Sequence, residues 1–187
     1  DAPLHFNHFI GLPFTVLWIV GVTNAVNFSD GIDGLAAGLS IFVSLVIFIV
    51  ALVNNHPLIA LFSITLAGST AGFLIFNFPP ATIFMGDSGA LFLGFMLASI
   101  SILGSLKSTA AVALVIPILA MIVPIGDTLM AMVRRFLKGR HMAEADQDHV
   151  HHRLLKMGLT HRQIIIILYI VTIFFGLFAL STLCMQK

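Results

Sequence analysis

The stretch LAAGLSIFVSLVIFIVALV, residues 35–53, decides the fold class because none of its side chains is charged. As a helix rising 1.5 Å per residue, it is about as long as the ~30 Å hydrocarbon core of a bilayer. Five further apolar runs flank it, at about residues 13–26, 58–76, 88–103, 110–136 and 164–183, and a start near Phe9 is the alternative for the first. Only 9% of the 187 residues are charged, whereas a soluble domain has roughly 25%. The sequence therefore predicts an all-α, polytopic transmembrane helix bundle of six spans, forming a single domain over residues 1–187.

The fifth run, residues 110–136, is too long for one straight helix perpendicular to the membrane, since it would extend about 40 Å. It contains Pro117, Pro124 and Gly126, and proline removes a backbone hydrogen bond and kinks a helix. We therefore expect a broken or strongly tilted helix that reaches into the cytoplasm. The same run holds Asp127, and an acid at membrane depth is usually functional or paired. Function and a structural bond to a neighbouring helix are equally supported for it.

The basic residues determine the orientation, because loops rich in Lys and Arg stay in the cytoplasm. Seven of the nine lie around the loop at residues 137–163: Arg134, Arg135, Lys138, Arg140, Arg153, Lys156 and Arg162. Alternation of the spans then places residues 24–34 and 77–88 on the cytoplasmic side as well. Every polar cluster falls on this face, so we expect a multi-pass protein of the cell membrane whose function lies on the cytoplasmic side.

The first polar cluster is NAVNFSDGIDG, residues 24–34, in which Asn24, Asn27, Asp30 and Asp33 recur at every third position. Residues three apart are neighbours on a helix surface, and the glycines allow a tight turn and close approach of a ligand. Helix capping would explain one Asn or Asp, but not four in register. The pattern therefore favours ligand binding.

The second cluster is NFPPATIFMGDSG, residues 77–89, with Asp87 at the start of the fourth span. A carboxylate there can cap the helix, or it can bind Mg²⁺, which takes one or two carboxylates together with substrate phosphates. The two interpretations are equally supported by these residues. Phe84 alone indicates only packing at the membrane edge.

The third cluster is HVHHR, residues 149–153. Three histidines in four residues suggest zinc, but the chain offers no matching cysteine pair. Histidine and arginine together suit phosphate oxygens through charge-assisted hydrogen bonds. For the basic residues as a group, the favoured interpretation is a solvated loop that fixes topology and contacts lipid headgroups. The single cysteine, Cys184, lies in an apolar run and indicates packing.

Three stretches in this order resemble the polyprenyl-phosphate N-acetylhexosamine-1-phosphate transferases: NAVNFSDGIDGLAAG at 24–38, FNFPPATIFMGDSGALFLG at 76–94 and DHVHHRLLKMGLTHRQ at 148–163. The His-x-His-His form resembles the GlcNAc-1-phosphate branch more than the phospho-MurNAc-pentapeptide branch. The chain resembles only the C-terminal half of that family, without its first spans and its pair of adjacent aspartates. We therefore expect a fragment of a longer protein.

The resemblance implies a reaction at the cytoplasmic face in cell-envelope polysaccharide synthesis. A polyprenyl phosphate such as undecaprenyl phosphate attacks the β-phosphate of a UDP-N-acetylhexosamine, UDP-GlcNAc in the favoured case, and UMP leaves. The implied cofactor is Mg²⁺, with Asp87 as its ligand.

The resemblance also implies residue roles. The catalytic set is Asp87, Asp30, Asp33, His149, His151 and His152, and the substrate-binding set is Asn24, Asn27, Asn77, Phe84 and Arg153. Phe84 matches the aromatic residue that stacks on uracil, and the histidines lie beside the sugar or the phosphates.

Two other functions stay open at this stage. One is a truncated or degenerate, non-catalytic membrane module that binds lipid phosphate or a partner protein. The other is a transporter, which is disfavoured because its polar residues should lie near the bilayer midplane and here most lie at one edge. Membrane lipid is an expected partner, nucleic acid is not, and a homodimer is left open.

Overall fold

The computed structural model of the protein describes residues 8–105, 117–137 and 149–184. This part of the chain forms helices and no strands, which confirms the all-α class. The helices are α1 (His8–Ser29), α2 (Leu35–Val53), α3 (Pro57–Asn77), α4 (Gly86–Ser105), α5 (Ile122–Leu137), α6 (Val150–Lys156) and α7 (His161–Cys184). Five stretches of them are long and apolar enough to cross a membrane: Gly11–Ser29, Leu35–Val53, Pro57–Asn77, Gly86–Gly104 and His161–Thr182.

The fifth predicted span is broken, as expected, although residues 110–116 lie outside the described part. Residues 117–120 are helical, Met121 forms a turn, and α5 begins at Ile122. Pro124 explains the position of the break, since it has no N–H to donate to the carbonyl of Ala120 and its ring crowds that carbonyl.

Two helices begin a few residues before the apolar runs that predict them. The first helix was expected from about Pro13, or from near Phe9, and α1 begins at His8 and carries Pro13 inside it. The last was expected from residue 164, but α7 begins at His161. A capping box moves that start, because Gln163 Oε1 accepts from the backbone N–H of Thr160 at 2.9 Å and the Thr160 hydroxyl accepts from the N–H of Gln163 at 3.4 Å.

The bundle is built around α2, which packs against α3, α4 and α7, while α1 packs against α4 and α5. Gly94 lets α1 and α4 approach closely, because a Cβ at that position would lie 2.7 Å from the Cα of Thr23. A hydrogen bond of 3.0 Å from Trp18 Nε1 to Ser101 Oγ joins the same two helices. Large apolar side chains such as Ile75, Ile170 and Phe174 are exposed on the outer faces, as suits contact with lipid.

The polar segments meet at one end of the bundle. The backbone N–H of Gly34, just before α2, donates to Asn77 Oδ1 at the end of α3. Arg162, in the first turn of α7, donates from Nε to the carbonyl of Pro79 at 2.9 Å. The ends of α1 and α3 and the starts of α2, α4 and α7 therefore share one side, which agrees with the predicted alternation of spans.

Candidate active site

The turn between α1 and α2 carries Asp30 and Asp33, and its last residue is held from two sides. Gly34 has a φ of 80°, the left-handed region that favours glycine. Its N–H donates to Asn77 Oδ1 at 2.8 Å, and its carbonyl accepts from the hydroxyl of Tyr169 on α7 at 2.5 Å. These two bonds fix the aspartate turn against α3 and α7.

Asn77 organises the backbone around this turn. Its side chain is 1% exposed, and its Nδ2 donates to the carbonyl of Ile83 at 2.9 Å. One amide group therefore joins the aspartate turn to the loop that leads into α4. These bonds make Asn77 a positioning residue, while its predicted contact with substrate stays a prediction.

Tyr169→Phe tests the hold on the aspartate turn. The phenylalanine ring can occupy the same place over Gly38, where an added Cβ would lie 1.9 Å from the ring, but the bond to the Gly34 carbonyl is lost. We expect a loss of about 1 kcal/mol in stability, because one hydrogen bond is lost while the Gly34 carbonyl keeps its bond from the N–H of Gly38 at 3.0 Å. Thermal unfolding of the protein in detergent measures this. Phe42→Leu removes the ring that packs edge-on against Tyr169 and is the control for packing alone. An unchanged unfolding temperature for Tyr169→Phe would contradict the assignment.

Asp87 brings the second cluster to the first. It is exposed in the first turn of α4, and its Oδ1 accepts from Asn27 Nδ2 on α1 at 3.2 Å. Asn24, by contrast, donates to the carbonyl of Val20 within its own helix. Phe84 is 72% exposed, so its ring is not packed in the protein interior and its face is available for stacking.

The carboxylates of this end of the bundle influence one another. Burial and, after it, the negative charges of Asp33 and Asp87 together raise the pKa of Asp30 to about 6. Three carboxylates this close repel one another when all are ionised. A bound cation would relieve that repulsion, so the electrostatics of the turn favour a positively charged ligand.

The histidine segment packs against the end of α1. The ring of His149 lies 5.7 Å from that of Phe28, and the ring of His151 stacks parallel to His149 at 5.8 Å. His151 covers Gly31, since a Cβ on Gly31 would lie 2.5 Å from His151 Nε2. The third cluster therefore joins the aspartate turn.

His151 is 2% exposed, and its Nε2 has no hydrogen-bond partner. Burial and, after it, the positive charge that His152 can carry lower the pKa of His151 to about 4, so the ring is neutral at pH 7. The ring of His152 lies 4.2 Å away, and Arg153 is exposed on the same short helix. The unpaired Nε2 is buried against Gly31 of the aspartate turn.

Within the described ranges, no group of three or more His, Cys, Asp or Glu side chains could hold a metal ion. A magnesium ion needs fewer protein ligands because it takes substrate phosphates and water as well. Asp87 fits that role chemically, since it offers exposed carboxylate oxygen in a region where negative charge is concentrated.

Tyr169 and Arg162 also belong to this region, and neither was predicted from the sequence as a part of it. Tyr169 is the only tyrosine of the chain and stands in an apolar span, which is the signal that could have drawn attention to it. Asp127 was noted without a partner, and the structure pairs it with His149 at 3.0 Å.

The fold and the site together define a polytopic membrane protein with a carboxylate and histidine site at one end of its helix bundle. Residues 1–105 match glycosyl transferase family 4, and the chain belongs to that family.

Three relatives show the extent of the similarity. A probable undecaprenyl-phosphate N-acetylglucosaminyl 1-phosphate transferase of Bacillus subtilis is 46% identical over 168 residues, 90% of this chain and 47% of that protein. A decaprenyl-phosphate N-acetylglucosaminephosphotransferase of Mycobacterium leprae is 42% identical over 175 residues, 83% of this chain and 44% of that protein. A phospho-N-acetylmuramoyl-pentapeptide-transferase of Latilactobacillus sakei is 52% identical over 90 residues, 48% of this chain and 28% of that protein. The chain spans about half the length of the first two.

Proposed function

We propose that the protein transfers N-acetylhexosamine-1-phosphate, GlcNAc-1-phosphate in the favoured case, from a UDP-sugar to a polyprenyl phosphate, releasing UMP. The observation that carries the proposal is the meeting of all three clusters at one end of the bundle. Asp87 bonds to Asn27, and His151 covers Gly31. The names of the relatives from Bacillus subtilis and Mycobacterium leprae support a polyprenyl phosphate acceptor and a GlcNAc phosphate.

The residues suit this reaction because phosphoryl transfer depends on positioning and on neutralising charge more than on covalent help from the protein. Asp87 would hold Mg²⁺, with Asp30 and Asp33 nearby, and a bound Mg²⁺ supplies charge neutralisation for the phosphate oxygens. His151 places its ring and its unpaired Nε2 against Gly31 of the aspartate turn and so would help to shape the donor site. The exposed ring of Phe84 provides a face for uracil.

The membrane supplies the second substrate. The exposed apolar faces of the bundle suit the prenyl tail, so that the lipid phosphate can approach the polar end from the bilayer. We infer that this end faces the cytoplasm, because most Lys and Arg residues flank it and basic loops stay inside.

The test uses the full-length protein in nanodiscs with Mg²⁺, undecaprenyl phosphate and radiolabelled UDP-GlcNAc. We expect a labelled lipid product and release of UMP, both lost on chelation with EDTA. Parallel reactions with other UDP-N-acetylhexosamines define the donor. A full-length protein that binds polyprenyl phosphate but transfers no label would favour the non-catalytic alternative instead.

A further inference from the structure

Asp127 on α5 is 8% exposed and makes two hydrogen bonds to the start of the histidine segment. Its Oδ2 lies 3.0 Å from Nδ1 of His149, and its Oδ1 accepts from the backbone N–H of Val150 at 2.8 Å. One carboxylate therefore holds both the first turn of α6 and the ring that precedes it. A cap for the helix would need only the bond to Val150.

The second bond determines which nitrogen of His149 carries the proton. A carboxylate can only accept hydrogen bonds, so the proton between Asp127 and His149 belongs to Nδ1. The ring can then reach a ligand only through Nε2. In a neutral imidazole this Nε2 is an acceptor, and in an imidazolium it is a donor.

The ring so held lies beside the candidate active site. It is 7% exposed and packs between Phe28, at 5.7 Å with an interplanar angle of 31°, and His151, at 5.8 Å with an angle of 3°. Phe28 directly follows Asn27, whose amide donates to Asp87. Asp127 therefore holds the ring of His149, which packs against the end of α1 close to the carboxylates.

We propose that Asp127 is a positioning residue, which fixes the orientation and tautomer of His149 so that Nε2 is presented to the phosphates of the substrates. This inference rests on the proposed function for the identity of the ligand. It does not rest on it for the state of the ring, which can be measured without turnover.

Asp127→Asn tests the inference because it keeps the shape of the side chain. The new amide can still accept from Val150 through Oδ1, but its NH₂ group donates to His149 Nδ1 and moves the proton of the ring to Nε2. In the full-length protein we expect kcat to fall about 100-fold or more, the size of a general acid–base contribution. We expect KM for the UDP-sugar to change much less. Thr128→Val is the control, since the Thr128 hydroxyl bonds to the carbonyl of Pro124 in its own helix.

Two further measurements separate positioning from a merely structural role. If Asp127 acts through His149, Asp127→Asn should cause no further loss in a His149→Ala background; losses that multiply would overturn the proposal. Nitrogen-15 NMR of labelled histidine should show His149 protonated on Nδ1 in the unmutated protein and on Nε2 in Asp127→Asn. A bare Nδ1 in the unmutated protein would also overturn it. Absence of sugar-phosphate transfer by the unmutated protein would count against the proposed function alone, and the NMR result would still decide the role of Asp127.

Discussion

Asp87→Asn should lower sugar-phosphate transfer by the full-length protein about 10³-fold, the largest loss expected from any single change in this chain. The asparagine keeps the size of the side chain, and its Oδ1 can still accept from Asn27 Nδ2, a bond of 3.2 Å in the structure. What it removes is one negative charge from a group of three carboxylates. If that charge holds Mg²⁺ against the phosphates of the substrates, the transfer step loses its charge neutralisation while the helix bundle is preserved.

The measurement is the initial rate of labelled lipid product at saturating UDP-GlcNAc over a range of Mg²⁺ concentrations. Asp87→Glu, which keeps the charge but extends the side chain, should retain more activity than Asp87→Asn and require more Mg²⁺. Thr65→Val is the matched control, because it removes an exposed hydroxyl that bonds within α3, away from the carboxylates. Full transfer by Asp87→Asn, or transfer independent of any divalent metal, would refute the metal assignment.

The convergence of the three clusters could be predicted from sequence because it depends only on the lengths and alternation of apolar spans. Each span carries the chain from one side of the bilayer to the other, so connections that are two spans apart lie on the same side. The bond between Asn27 and Asp87, 60 residues apart in sequence, confirms that expectation for the first two clusters. The contact of His151 with Gly31 confirms it for the third.

The individual contacts could not be predicted, because they depend on how each helix is rotated about its axis within the bundle. Asn24 and Asn27 belong to the same series of polar residues at every third position, so the sequence does not distinguish them. In the structure Asn27 bonds to Asp87, whereas Asn24 bonds to a carbonyl of its own helix. The contact of Asn77 with substrate stays a prediction, and the hydrogen bonds of its amide to two backbone groups could not be read from the sequence. The hydropathy of an apolar run does not show how its helix is rotated about its axis. It therefore does not show which residue of another helix a polar side chain will bond to.

For Asp127, the need for a partner could be predicted from the sequence, but the identity of that partner could not. Its cost at membrane depth indicated that it must have a function or a partner, but hydropathy could not say which. Residues 138–148, which connect it to His149, lie outside the described part, and the partner stands 22 positions away in sequence. The pairing depends on where the chain brings His149 and Val150 next to Asp127, and no local pattern encodes it.

Gly31→Ala should reduce transfer about 100-fold while the protein remains folded, because it separates the histidine segment from the aspartate turn. A Cβ at position 31 would lie 2.5 Å from Nε2 of His151 and 2.7 Å from its Cε1. The backbone of Gly31 does not have the positive φ of Gly34, so alanine is tolerated by the main chain itself. The ring must therefore move, and the ring of His152, 4.2 Å away, restricts where it can go. The loss of transfer reflects displacement of the unpaired nitrogen.

Gly21→Ala is the matched control, since Gly21 also lies on α1 and nothing stands within 4 Å of the added Cβ. It should leave both transfer and unfolding temperature nearly unchanged. In a His151→Ala background, Gly31→Ala should cause no further loss of transfer, because there is no ring for the added methyl group to displace. If Gly31→Ala is as active as Gly21→Ala, then His151 does not act at the aspartate turn. The three clusters would then be neighbours without sharing one site, because the contact of His151 with Gly31 is what joins the histidines to the carboxylates.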